Sequence, residues 1–194
     1  MKNDQSRLPL YLASTSDRRK EILSLLGMSF EVCAVDADET FVGADPADNA
    51  ARIAKLKAES ARHNHRNAII ISADTIVHAG NALLGKPSSR KHAREMLEVL
   101  SGNIHQVVTG FCVYDGQTGN FECGYDSTSV QFSVLDEHAI EWYLDTGEWE
   151  SVAGAYRIQG SGSCLIQGIS GSYHTVMGLP IHRIYGILRQ INFI

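Results

Sequence analysis

The sequence predicts an α/β fold in which a mixed sheet is flanked by helices, and three observations carry that prediction. Short apolar runs at 8–13 and 68–73 read as buried strands. Segments with apolar residues at helical spacing alternate with them, the pattern of helices packed on a sheet. Two long β-patterned segments, 104–114 and 121–134, are separated only by the turn-rich 115–120 and add an antiparallel pair. With 194 residues, 44% hydrophobic and 20% charged, the chain can bury a real core as a single domain over 1–194, or as a domain with a lobe.

The first strand, Leu8-Pro9-Leu10-Tyr11-Leu12-Ala13, empties into Ser14, Ser16, Arg18 and Arg19 where a helix should begin. Ser16 is the expected N-cap, Ile22, Leu23, Leu25 and Leu26 the apolar face, and Gly27 the stop. Free N–H groups at a helix start and two forked guanidiniums suit phosphate oxygens, although a plain Ser-capped helix with solvated arginines uses the same letters. Residues 30–35 read as a second strand, followed by the acidic turn Asp36-Ala37-Asp38-Glu39-Thr40. Asp45-Pro46 opens a helix running to about His63, with Ala50, Ile53, Ala54, Ala58 and Ala61 on one side. Lys57 falls on or beside that stripe, where a lysine more often snorkels to solvent than points into a cleft.

The run 68–73 is a buried strand with Asp74 at its carboxyl end, the location at which open α/β sheets hold ligands. Gly80-Asn81 can turn a hairpin, and Gly85-Lys86-Pro87 leads into a Ser-capped helix with the stripe Ala93, Met96, Leu97 and Leu100. After the antiparallel pair, Asp136 caps a helix reaching about Asp145. The glycine-dense region 154–171 is expected to carry short strands. A last helix from Pro180 to about Gln190 should turn Ile181, Ile184, Tyr185 and Leu188 inward. Neither an internal repeat nor a low-complexity linker is visible.

A net charge of −5 gives no global field for nucleic acid or an anionic membrane, so cationic chemistry must be local. No apolar stretch approaches the roughly 20 residues of a membrane span, and the polar start MKNDQSR lacks the core of a secretory signal. A cytoplasmic protein is expected. Cys33, Cys112, Cys123 and Cys164 form no C-x-x-C pair and are expected to be buried thiols; Cys112 and Cys123 could face each other across a hairpin, but a reducing cytosol opposes a disulfide. No H-x-x-x-H spacing organises the eight histidines into a metal site, so most are expected at the surface. A Gly-x-x-x-x-Gly-Lys-Ser/Thr loop is missing, which argues against a P-loop NTPase.

The residues singled out fall into two chemical groups: cations at Arg18, Arg19, Lys57 and Lys86, and carboxylates at Glu39 and Asp74. Such a set suits a polyphosphate and its magnesium, because the ion takes carboxylate and phosphate oxygens while the cations neutralise the remaining charge.

The pieces LYLASTSDRRKEIL, VDADET, IAKLKAE, ISADTIV, LGKP, LSGNIHQVVTG, AGAYRIQG and GSYHTVMGLP follow in this order over nearly the whole chain. Together they resemble the Maf family of nucleoside triphosphate pyrophosphatases. The resemblance implies a fold related to the inosine triphosphate pyrophosphatases, with a cleft between two lobes. It also implies hydrolysis of the α–β phosphoanhydride with Mg2+ or Mn2+, and a homodimer. Carried over by motif, it implies Ser14, Arg18 and Arg19 as substrate contacts, Glu39 as the acidic-turn metal ligand and Lys57 as the helix lysine. Asp74 becomes the catalytic aspartate, touching the metal, and Lys86 the lysine before proline.

Thr75 and Gln159, with Arg18, resemble the subgroup acting on dTTP and UTP. A glutamine amide can meet the pyrimidine N3–H and one adjacent carbonyl together. The chain departs from the family pattern in three places. Asp17 stands where proline is usual, Arg157 replaces the usual glycine before Ile-Gln-Gly, and Glu150-Ser151-Val152 stands where an Asp-Lys pair is common.

Two rivals remain. Residues 32–40, an apolar strand followed by Asp-x-Asp-x-Thr, match a haloacid-dehalogenase-type phosphatase with Asp36 as nucleophile. That chemistry needs a later acidic pair for magnesium, and Asp115, Asp126, Asp136 and Asp145 are isolated. The second rival is a nucleotide-binding regulator of cell division without turnover, suggested by the family's link to septum formation. It has no use for two carboxylates beside an anion, since each repels phosphate unless a metal intervenes.

Overall fold

A computed structural model describes residues 8–194, so the polar start MKNDQSR, on which the expected absence of a secretory signal rests, lies outside the described residues. The chain divides into two compact units. One contains the described residues up to Asp74 with Thr109–Asp126 and Gly178–Ile194; the other contains Thr75–Val108 and Ser127–Met177.

In the first unit, β1 (Leu10–Leu12) pairs in parallel with β2 (Glu31–Val32) on one side and with the start of β3 (Ile69–Ala79) on the other. β5 (Ile104–Asp115) lies beside β3 and is followed by β6 (Phe121–Phe132). The Gly116 N–H donates to the Ala68 carbonyl at 2.9 Å and the Ser72 hydroxyl oxygen lies 3.4 Å from the Cys112 carbonyl, so β5 runs antiparallel to β3. The sheet is therefore mixed, as expected.

Among the described residues, three helices belong to this unit: α1 (Asp17–Ser24), α2 (Pro46–Arg62) and α6 (Ile181–Gln190). α2 starts where its signals put it, with Pro46 in the first turn and the Asp45 carboxylate accepting the Ala47 N–H at 2.8 Å, a cap worth about 1 kcal/mol. Its small buried face, Ala50, Ala54, Ala58 and Ala61, lets the helix backbone lie close on the sheet. At Gly110 of β5 a Cβ would fall 2.1 Å from the Ala50 carbonyl, so the crossing tolerates only glycine there.

In the second unit, β3 turns through Gly80-Asn81 into β4 (Ala82–Leu84), with Gly80 at φ 54 and Ala79 opposite Ala82. α3 (Arg90–Leu100) is capped by Ser89 and buries Ala93, Met96, Leu97 and Leu100, as its stripe predicts. α4 (Glu137–Asp145) is capped by Asp136, and Arg90 and Arg94 on α3 pair with Glu137, Glu141 and Asp145 on it. Two 3-10 turns, Ala153–Ala155 and Ser161–Leu165, lead to β7 (Ile166–Ser170), antiparallel to β6, and to the short α5 (Tyr173–Met177).

Several expectations need correction. The second strand shrinks to two exposed residues at the sheet edge, since no strand of the described residues covers its far side. Leu25 is 65% exposed because α1 ends at Ser24 and Gly27, at φ 66, turns the chain away. Tyr185 is 46% exposed: Ile184 and Leu188 form the buried line of α6, and the next residue points about 100° around the helix. The 154–171 region holds one strand, the rest being 3-10 turns, with Gly154 at φ 73. Cys112 and Cys123 form a disulfide with their Cα atoms 4.0 Å apart, because the hairpin sets them opposite each other. Cys164 is exposed and Cys33 half-buried, so neither is a fully buried thiol. Among the described residues, no helix is long and apolar enough to cross a membrane.

Candidate active site

The Ser-x-Ser-x-Arg-Arg motif at residues 14–19 is built at the end of β1. The Ala13 N–H still donates to Ile71 on β3 at 2.8 Å, and the chain then turns into α1. Ser14 is buried, and its hydroxyl oxygen accepts from the Ser16 N–H at 3.3 Å and from Arg19 Nη1 at 3.2 Å. Ser16 occupies the N-cap position, but its side chain makes no cap bond. Arg19 Nε donates to the Gly178 carbonyl at 2.8 Å, so the guanidinium is fixed from two directions. Burial, the largest influence, draws the Arg19 pKa below its ordinary value; Asp74 opposes this, Arg18 adds to it and Glu39 opposes it. Arginine stays protonated under such a displacement, so the site keeps a positioned cation. Asp17 does not intrude: its side chain is 96% exposed and meets Lys20 at 2.5 Å.

Lys57 supplies the second cation. β3 is tied to α2 by the Ser72 hydroxyl, which donates to the Ala54 carbonyl at 2.6 Å. One turn further along α2, Lys57 Nζ lies 2.7 Å from Asp74 Oδ1 and 2.7 Å from Glu39 Oε1. The expectation that this lysine snorkels is therefore corrected: the side chain is 11% exposed and turns inward, because two carboxylates replace the water it loses.

Asp74 is also corrected in one respect. β3 does not end there but continues to Ala79. Its parallel partner β1 ends opposite Ile71, and Asp74 lies just beyond that last pair. The opening at a strand end is thus made by the shorter neighbour.

Glu39 sits on the loop between β2 and α2 with its side chain 56% exposed. Two α2 residues that sequence reasoning missed hold this loop. Asn49, 1% exposed, accepts the Val42 N–H on Oδ1 at 2.7 Å and donates to the Asp45 carbonyl at 2.9 Å; the Arg52 guanidinium donates to the Thr40 carbonyl. A signal was present: Asn49, Ile53 and Lys57 recur every fourth residue, placing two polar groups on the buried face. Gly178, the acceptor for Arg19, had no comparable signal of its own beyond the Met-Gly-Leu-Pro piece containing it.

Among the described residues no three or more His, Cys, Asp or Glu side chains form a metal cage. The donor set nevertheless fits magnesium or manganese, since Glu39 and Asp74 converge on one cationic atom. Magnesium commonly takes one or two carboxylates and completes its shell with phosphate oxygens and water.

Ser14, Arg18, Arg19, Glu39, Lys57 and Asp74 all belong to the first unit. Thr75, Lys86 and Gln159 belong to the second. Thr75 is half-buried on β3, Lys86 is exposed after β4, and Gln159 is half-buried between the two 3-10 turns. Asp36 is exposed, and the carboxylates that meet a buried cation are Glu39 and Asp74, so nothing favours the aspartyl-phosphate rival.

Residues 9–191 match the family model described as Maf-like protein. A dTTP/UTP pyrophosphatase of Aquifex aeolicus (strain VF5) is 43% identical over 183 residues, covering 94% of this chain and 95% of that protein. A dTTP/UTP pyrophosphatase of Symbiobacterium thermophilum is 42% identical over 185 residues, covering 95% and 94%. The solved structure of the Staphylococcus aureus Ham1 protein aligns with a TM-score of 0.48 and 15% identity, over 64% of this chain and 71% of that one.

Proposed function

This chain belongs to the Maf-like protein family, and from that premise we propose that it hydrolyses dTTP and UTP to the nucleoside monophosphate and pyrophosphate. The observation that carries the reading is the Lys57 ammonium held 2.7 Å from both the Asp74 and the Glu39 carboxylates, in the unit that also fixes Arg19. Full-length relatives named dTTP/UTP pyrophosphatase support the substrate pair.

Arg18 and Arg19 take the roles of phosphate cations, with Ser14 orienting the Arg19 guanidinium. Asp74 is the general base: it accepts the proton of the water that attacks the α-phosphorus, and the α–β bridging oxygen leaves with pyrophosphate. Lys57 keeps the Asp74 carboxylate oriented. Glu39 and Asp74 would hold Mg2+ or Mn2+, which when bound supplies positive charge to the phosphate oxygens. From the second unit, the family resemblance assigns Lys86 to phosphate and Thr75 and Gln159 to the substrate. A Gln159 amide facing the pyrimidine N3–H edge would leave cytosine or a purine with a mismatched donor or acceptor. The same resemblance supports a homodimer; a cytoplasmic location is the expectation drawn from the sequence.

The test is product analysis. Purified protein with Mg2+ or Mn2+ and a panel of nucleoside triphosphates should release monophosphate and pyrophosphate, fastest from dTTP and UTP. Diphosphate with orthophosphate as first products would remove the pyrophosphatase reading, and a strong purine preference would remove the dTTP/UTP reading.

A further inference from the structure

The turn that carries Gln159 is fastened by two side chains that the proposed chemistry does not use. Tyr143 on α4 is wholly buried, and its hydroxyl accepts the Arg157 N–H at 3.0 Å. Glu148, just beyond α4, accepts the Ser161 N–H on Oε1 at 3.0 Å and the Gly162 N–H on Oε2 at 3.4 Å. Bonds from backbone N–H groups to a carboxylate are roughly twice as strong as neutral ones. Gln159 stands between these two anchor points.

Within the turn, the Gly160 N–H donates to the Arg157 carbonyl at 3.3 Å, and the Ser163 N–H and hydroxyl donate to the Gly160 carbonyl at 3.0 and 2.7 Å. The turn is also closed sterically: a Cβ at Gly162 would fall 2.5 Å from the Arg157 carbonyl oxygen. The Gln159 side chain itself makes no hydrogen bond to any described residue. A backbone fixed on both sides with an uncommitted amide between them is a pre-organised recognition group, since little freedom remains to be lost on binding.

We infer that Glu148 is a positioning residue for base selection: by binding the Ser161 and Gly162 N–H groups it sets the direction in which Gln159 offers its amide. This rests on the reading of Gln159 as the group that meets the pyrimidine N3–H edge. Tyr143 fixes the other end of the same turn, but its burial in the α4 core makes it a poor probe. Glu148 is only half-buried and can be changed.

The experiment measures kcat/KM for UTP, dTTP, CTP and GTP in Glu148→Ala, Glu148→Gln, Gly160→Ala and Gln159→Ala. Gly160→Ala retains the Glu148 residue but pushes its carboxylate aside, because the new Cβ would meet it at 2.5 Å. Glu148→Ala and Gly160→Ala should each lower the UTP-to-CTP ratio about tenfold, the effect of one lost polar contact. Glu148→Gln, which keeps one acceptor oxygen, should fall between. Adding Glu148→Ala to Gln159→Ala should not lower the ratio further. Amide exchange at Ser161 and Gly162 should quicken in Glu148→Ala whether or not nucleotide is present.

An equal drop for all four nucleotides in Glu148→Ala would make the residue merely structural and overturn the inference. So would an unchanged ratio in Glu148→Ala beside a lowered one in Gln159→Ala. An unchanged ratio in Gln159→Ala would instead overturn the base-reading role of Gln159, and the inference with it.

Discussion

Lys57 has two carboxylate partners, and they are unequal: the Asp74 side chain is 14% exposed and that of Glu39 is 56% exposed. The inner partner is suited to hold a proton near the reacting atoms and the outer one to share an ion with solvent and phosphate. Asp74→Asn keeps the shape and removes the base, so turnover should fall about 10²-fold or more while the fold survives, because Lys57 retains Glu39. A well-folded Asp74→Asn protein with near-normal turnover at saturating metal would remove the catalytic role. Glu39→Gln should act differently, raising the metal concentration for half-maximal activity and for direct Mn2+ binding. Unchanged metal dependence would exclude Glu39 as a ligand.

The elements that position these side chains meet at a close crossing. α2 carries Asn49, Arg52 and Lys57 and rests on β5 where Gly110 leaves no space for a Cβ. Gly110→Ala forces either the helix or the strand to move, because the nearest atoms belong to the α2 backbone and not to a flexible side chain. Overpacking of this kind should cost about 1–3 kcal/mol, read as a lower denaturant midpoint, and turnover should fall with it because Lys57 moves with the helix. Unchanged stability would mean that α2 is free to slide. The same helix illustrates what local sequence encodes well. Asp45-Pro46 and the alanine stripe mark its start and its buried face, since caps and periodicity are local properties. β2 and β7 were harder because an edge strand depends on a neighbour, and the sequence between Gly154 and Gly171 is dominated by turn geometry.

At the scale of the whole molecule, stability should depend on pH through His105, one histidine that is not at the surface. It is 1% exposed, with Nε2 2.8 Å from the Tyr156 hydroxyl and Nδ1 without a partner among the described residues. Burial, assisted by His78, lowers its pKa from 6.5 to about 4. The unfolded chain takes up this proton near pH 6.5 and the folded chain only near pH 4. The unfolded state therefore binds more protons within that window, and folding stability falls as the pH drops through it. The loss approaches about 3 kcal/mol at the acid end. Denaturant titrations between pH 7 and 4 should show a shallower decline for His105→Gln than for the parent chain. Parallel declines would exclude His105 as the source.

The sequence by itself determined the α/β class, the starts of α1, α2, α3, α4 and α6, the hairpins and the family. Each of these depends on local periodicity, caps, turn residues or an ordered series of motifs. Tertiary structure alone decided that Lys57 turns inward to Asp74 and Glu39, that Arg19 is held by Gly178, and that Asn49 and Arg52 hold the Glu39 loop. It also decided that Cys112 and Cys123 are paired. The reason is physical: whether a polar side chain points to water or inward is set by the partners that remote segments bring to it. Burying the Lys57 ammonium is tolerable only because residues 18 and 17 positions away along the chain arrive with opposite charge.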